Sequence, residues 1–184
     1  MHLLCIMKKK VLAIYLTVAA LCIDHGAMAA DINVTALASI VTPVSIIKDA
    51  ENRYGVTNGN ISFGNILPGY SQGTARISSG SQSTPEVTNG VNMAGTYGSS
   101  WLIVTGDPGT KLNISFSSGN SCTLTHESHP DKHLDLIDLE TASSTVTIDA
   151  SGNAAFNIGG TLIIPSDALY GLYSGKYSVS IDHQ

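Results

Sequence analysis

Three histidines, His126, His129 and His133, stand three and four positions apart in the stretch THESHPDKHLD, residues 125–135, beside Glu127, Asp131 and Asp135. Imidazole and carboxylate at such spacing are a donor set for zinc or copper. A helix would bring the three rings to one face, but Pro130 interrupts a helix there. The second histidine also falls too early for the H-E-x-x-H pattern. The expectation is an exposed loop between strands with no metal. The three histidines stand as the candidates if the loop holds a cation or acts as a pH-sensitive patch.

Other chemistry is sparser. Asp135, Asp138 and Glu140 are close enough in sequence to be imagined as a glycosidase carboxylate set, but a strand with polar edges makes them solvated surface. Trp101, inside SSWLIVTG, is expected in the core rather than stacked on a sugar. Tyr170, Tyr173 and Tyr177 are expected to cover core edges. No G-x-S-x-G elbow, phosphate-binding loop or G-x-G-x-x-G fingerprint occurs. The expectation is therefore no enzyme and no cofactor.

The first thirty residues have the form of a secretory signal peptide: Lys8–Lys10, an apolar run from Val11 to Ile23, and Ala27-Met28-Ala29 as a small-x-small cleavage site. Met7 is an alternative start. Leu21 is too large to precede a lipidated Cys22. Export places the protein in the periplasm in transit and then at the cell surface or outside. Removing Lys8–Lys10 and Asp24 leaves six Lys or Arg against thirteen Asp or Glu, a net charge of −7. That balance argues against nucleic acid as a partner. Of the three cysteines, Cys5 and Cys22 leave with the signal. Cys122 then has no intrachain partner, and it reads as a small buried hydrophobe.

The elements that must position these residues are all strands. Short alternating runs recur, separated by Gly, Ser, Asn and Pro, with no helical period. The runs are Ile32–Ile40, Val44–Lys48 after Pro43, ISFGNILPG (61–69), TARISS (74–79), EVTNGVNMAG (86–95), SSWLIVTG (99–106), LNISFS (112–117), CTLT (122–125), LDLIDLE (134–140), STVTID (144–149), AAFNIGGTLIIP (154–165) and GKYSVSID (175–182). STVTID and AAFNIGGTLIIP are expected to form a hairpin about residues 150–153. In LDLIDLE, Leu134, Leu136 and Asp138 fall on one side, with Ile137 and Leu139 interrupting the alternation. Regular strand spacing indicates an all-β antiparallel β-sandwich. The organisation read from this is a signal peptide (1–30), an N-terminal strand (31–42) and a sandwich domain (43–184).

Both ends of the sandwich sequence are written as core strands. Ile32, Val34, Ala36, Ala38 and Ile40 form one apolar face, set against Asn33, Thr35 and Ser39, with Leu37 the exception on the polar side. The chain stops just after Tyr177, Val179 and Ile181, which also share one face. The first strand can complete its own sandwich or be donated to another copy by strand addition. In the second case the donor is Ile32, Val34, Ala36, Ala38 and Ile40. The acceptor groove is then flanked by Val44 and Ile46 on one side and Tyr177, Val179 and Ile181 on the other.

The stretches NVTALASIVTPVSI (33–46), ISFGNILPG (61–69), VTGDPGTKLNISF (104–116), FNIGGTLIIP (156–165) and GLYSGKYSVSID (171–182) together resemble the pilin-like subunits of bacterial chaperone–usher fimbriae, of the disulfide-poor archaic and alternative branches. They also resemble a related group of secreted bacterial domains of unknown function. The resemblance implies an incomplete immunoglobulin-like sandwich completed by an N-terminal donor strand, and a role in surface adhesion. Its implied partners are other copies or related subunits, a periplasmic chaperone, an outer-membrane usher, and a host receptor or glycan. Many classical pilins carry an early disulfide, which this chain cannot form. The alternative of another class is a monomeric secreted or periplasmic binding module, an adhesin with a self-completed sandwich and a site in loops 79–100 or 125–135.

Overall fold

The computed structural model describes residues 43–49, 59–80, 84–117 and 119–184, all within one compact unit, Ile40–Gln184. The expected donor residues Ile32, Val34, Ala36, Ala38 and Ile40 lie outside the described residues, as does the signal segment. Among the described residues the regular elements are all strands: β1 (Ser45–Lys48), β2 (Asn65–Leu67), β3 (Gly73–Ile77), β4 (Glu86–Val87), β5 (Asn92–Ala94), β6 (Ser100–Thr105), β7 (Lys111–Phe116), β8 (Cys122–His126), β9 (His133–Thr141), β10 (Thr145–Thr147), β11 (Asn153–Ile164), β12 (Tyr173–Ser174) and β13 (Val179–His183). Every ladder between them is antiparallel. The large sheet runs β1-β6-β11-β9-β8-β12, with β3 and β4 branching from β11. A second sheet, β10-β7-β13, and a ribbon, β2-β5, accompany it. The fold is an all-β sandwich, as the strand pattern requires.

The longest strand, β11, organises the large sheet. Its first half pairs with β6 (Asn153–Ile158) and its second with β3 (Gly160–Ile164), while β9 runs along its other side. The handover from β6 to β3 falls at Gly159. A Cβ there would collide with the Ile77 carbonyl and the Ser79 amide, so close backbone approach explains the glycine. The neighbouring Asn157 closes the junction: its Nδ2 donates to the Gly80 carbonyl at 2.6 Å and to Ser99 Oγ at 3.0 Å.

On the opposite side, β9 is bulged. Its register against β11 shifts between Gly159 and Thr161, and Asp138 has a φ of 50°. A bulge inserts one residue and exchanges the two faces of a strand. Leu134 and Leu136 before it and Leu139 after it therefore all turn inward, and Asp138 is exposed. This corrects the expectation that Asp138 shares the face of Leu134 and Leu136.

Two other expectations change. β10 and β11 do not pair as a hairpin: β10 joins β7 in the second sheet and β11 the large one. Residues 149–153 instead form a tight connection between sheets, with Asp149 N–H donating to Asn153 O at 2.8 Å and Gly152 N–H to Asp149 O at 3.0 Å. Ile148 explains the divergence, since it turns into a separate buried cluster beneath the second sheet. On β6, Ser100, Leu102 and Val104 are buried while Trp101 and Ile103 are half-buried on the opposite face. Trp101 is thus not a core residue, because alternation gives the inner face to its neighbours.

The core has two parts. The larger gathers Phe63, Ala75, Leu102, Leu136, Ile158 and Leu162 on the inner face of the large sheet. The smaller, Val104, Leu112, Ile148 and Ala154, ties that sheet to β7 and β13. Each fully buried Leu or Ile contributes roughly 1.5–3 kcal/mol.

Candidate functional site

The second sheet covers only part of the large one. Where it stops, the inner face of the large sheet opens into a groove of about 1030 Å³. Leu102 of β6, Leu134 and Leu136 of β9, and Leu162 and Ile164 of β11 form its floor. One wall is β1 followed by residues 59–66. The other is Val179 and Tyr177 followed by a strap, residues 168–176.

Both walls include a strand with an open edge. Among the described residues, β1 pairs only with β6, and β13 pairs only with β7. An edge with no partner strand among the described residues is a template for one more strand. Of the expected acceptor residues, Ile46, Tyr177 and Val179 line the groove, while Val44 and Ile181 pack against the smaller core cluster beyond its closed end. Counting away from that cluster, Val44, Ile46 and Lys48 mark one wall and Ile181, Val179 and Tyr177 the other. The chain therefore runs in opposite directions along the two walls.

The edges are apolar. Ile46 is 38% exposed and Ile47 55%. Burial pushes the Tyr177 hydroxyl up in pKa, against the opposing effect of its side-chain hydrogen bond with Ser100. Cys122, half-buried in the groove lining, is likewise raised by burial. Lys48 closes β1, its Nζ donating to Asn60 Oδ1 at 2.6 Å. Chemically, the groove offers main-chain pairing at two edges and apolar contacts on its floor.

The histidine stretch serves a different purpose. His126 is buried at the end of β8, and its Nδ1 accepts from the backbone N–H groups of Ser128 at 3.0 Å and His129 at 3.2 Å. With Nδ1 accepting, Nε2 carries the proton and donates to the Tyr170 carbonyl at 2.9 Å. Both ring nitrogens are thereby engaged within the chain, and neither faces a cation. Gly171 (φ 148°) sits against this ring, where a Cβ would overlap Nε2. His129 and His133 are exposed, and His133 Nδ1 lies 3.3 Å from Thr125 Oγ1. Among the described residues, no three His, Cys, Asp or Glu side chains are grouped to hold a metal. Asp135 and Asp138 are exposed, and Glu140 pairs with Arg76 at 2.8 Å.

A family model described as a domain of unknown function (DUF4402) matches residues 55–183. The chain belongs to the DUF4402 family. No curated protein and no solved structure matches it. The DUF4402 match takes in the groove floor, residues 59–66 and the strap, and begins after β1. The groove of this DUF4402 chain is therefore bounded on one side by a strand that precedes the matched region.

The sequence pattern did not reveal the floor leucines, residues 59–66 or the strap as parts of one site. Alternation marks a buried face, but which buried faces remain uncovered depends on how far the second sheet extends.

Proposed function

We propose that this protein is a structural surface subunit of pilin-like type, assembled by strand exchange and serving adhesion. The observation that carries the reading is the groove between β1 and β13, each with one edge unpaired among the described residues, floored by core leucines. The proposed occupant is the Ile32–Ile40 segment of a second copy. Its alternation supplies a nine-residue apolar-faced strand, and such a strand gains main-chain bonds at both edges and side-chain pockets on the floor. Ile46, Tyr177 and Val179 are the acceptor residues in contact with it. A periplasmic chaperone holding the groove before assembly, an outer-membrane usher and a surface receptor are the partners this role implies.

A self-completed monomeric binding module is the second reading. It is favoured by proximity, since β1 begins at Ser45, only a few residues beyond Ile40. The size distribution of the exported chain, beside a version lacking residues 31–41, separates the two. Strand exchange gives heat-resistant ladders with the full chain and a soluble, non-extending truncated form. A stable full-length monomer that unfolds on truncation refutes exchange and selects self-completion.

A further inference from the structure

We infer that the groove grips its occupant from the solvent side as well as from the floor: Tyr170 and Leu172 on the strap clamp Leu37 of the incoming segment. This inference rests on the strand-exchange reading. It starts from two unexplained features. Leu37 is the one apolar residue among the outward-facing positions of the segment, Asn33, Thr35, Leu37 and Ser39. When Ile32, Val34, Ala36, Ala38 and Ile40 meet the floor, Leu37 points away from it. On the chain itself, Tyr170 is 85% exposed and Leu172 62%, and both line the groove.

Those two side chains are not on a loose loop. The Tyr170 carbonyl accepts from His126 Nε2 at 2.9 Å, and the Leu172 carbonyl accepts from Glu127 N–H at 2.9 Å. The Leu169 carbonyl accepts from Tyr173 Oη at 3.0 Å. Tyr173 and Ser174 then pair with His126 and Thr125 of β8. The backbone of the strap is thus fixed at three carbonyls within four residues, Leu169, Tyr170 and Leu172, while its two large apolar side chains stay in water. A rim ordered before binding loses little entropy when the occupant arrives. The partner that fits is a strand with an apolar residue on its outer face, and a second copy of this chain supplies one.

The test is capture of a fluorescent synthetic peptide, DINVTALASIVT, by the purified full chain, read by anisotropy after equilibration. It is run with the native chain and with a Tyr170→Ser, Leu172→Ser variant, whose changes fall on exposed side chains. The expected result is a roughly tenfold weaker capture of the Leu37→Ser peptide by the native chain, the scale of burying part of a leucine. The variant chain should bind the native peptide about as weakly and show no further loss with Leu37→Ser, the signature of direct coupling. Independent, additive losses, or no loss from Leu37→Ser while a Val34→Ser peptide still fails, overturn the clamp and leave strand exchange standing. No capture of any peptide by either chain while both run as monomers overturns strand exchange and the clamp with it.

Discussion

Replacing His126 with alanine separates a structural clasp from a metal site. The native ring makes three hydrogen bonds, two accepted at Nδ1 and one donated from Nε2. It also packs edge-on against Tyr173, with ring centroids 4.9 Å apart. Each hydrogen bond is worth about 0.5–1.5 kcal/mol net, and an aromatic edge contact about 0.5–1.5 kcal/mol. Because water can reach part of the loop, the lower half of that range applies, and His126→Ala should cost about 2–4 kcal/mol. His126→Asn, whose Oδ1 falls near the place of Nδ1, keeps the accepted bonds and should cost about half as much. His129→Ala and His133→Ala alter exposed side chains and should stay within about 0.5 kcal/mol. Urea unfolding followed by the fluorescence of the single tryptophan, Trp101, measures all four. Amide exchange at Glu127, Ser128 and His129 should quicken in His126→Ala alone. Equal losses in the three alanine variants, with stability of the native chain raised by micromolar zinc, would refute the clasp and restore a three-histidine site.

Cys122 offers a probe of the groove. With its thiol pushed up by burial, maleimide labelling at neutral pH should be slower than for a free cysteine, and slower again with saturating donor peptide; an unchanged rate would place the peptide elsewhere. Gly159→Ala would drive a methyl into the Ile77 carbonyl and should cost about 2–3 kcal/mol, whereas an equal stability by urea unfolding would mean that β11 can shift to make room. Asp149 accepts from Ser151 Oγ, Ser151 N–H and Asn153 N–H. Its pKa is lowered, chiefly by the Ser151 side chain and then by the Asn153 backbone. A depressed folded-state value means that the carboxylate contributes stability above its ordinary value near 3.8 and that this is lost as pH falls through the lower, folded value. Asp149→Asn should therefore flatten the stability profile on that acid limb, and an unchanged profile would show that the turn does not use the charge.

Much of the fold was legible because local alternation and turn residues agree with the final sheets. The runs SSWLIVTG, LNISFS and CTLT fall on β6, β7 and β8 nearly residue for residue. The failures share a cause. Asp138 falls on the side of Leu134 and Leu136 only when alternation is extended through the bulge, and a bulge is set by what lies across the ladder, here the Gly159-Gly160 pair of β11. β10 and β11 resemble a hairpin in sequence because the turn residues 150–153 lie between them, but strand pairing is decided by Val146 meeting Leu112 on β7. His126 looked like its neighbours in sequence. What distinguishes it is a carbonyl 44 residues away, at Tyr170.

The same distinction between face and place governs the groove. Alternation puts Val44 and Ile46 on one face, and Tyr177, Val179 and Ile181 on another. It could not show that these faces meet two different clusters. Val44 and Ile181 close the smaller cluster together with Leu112 and Ile148, so the two sheets are already joined there without any occupant. Ile46, Tyr177 and Val179 border the larger cluster at the stretch where the second sheet ends. A frame closed at one end can stay folded while the rest of its inner face remains open. Exposed apolar edges of that kind invite pairing with another strand, and β1 carries few defences: it is four residues long, with Pro43 before it and Lys48 at its end. Those features limit edge-to-edge growth from the two tips of the strand. They leave Ile46 and Ile47 between them as the open stretch, beside the floor leucines that an added strand would cover.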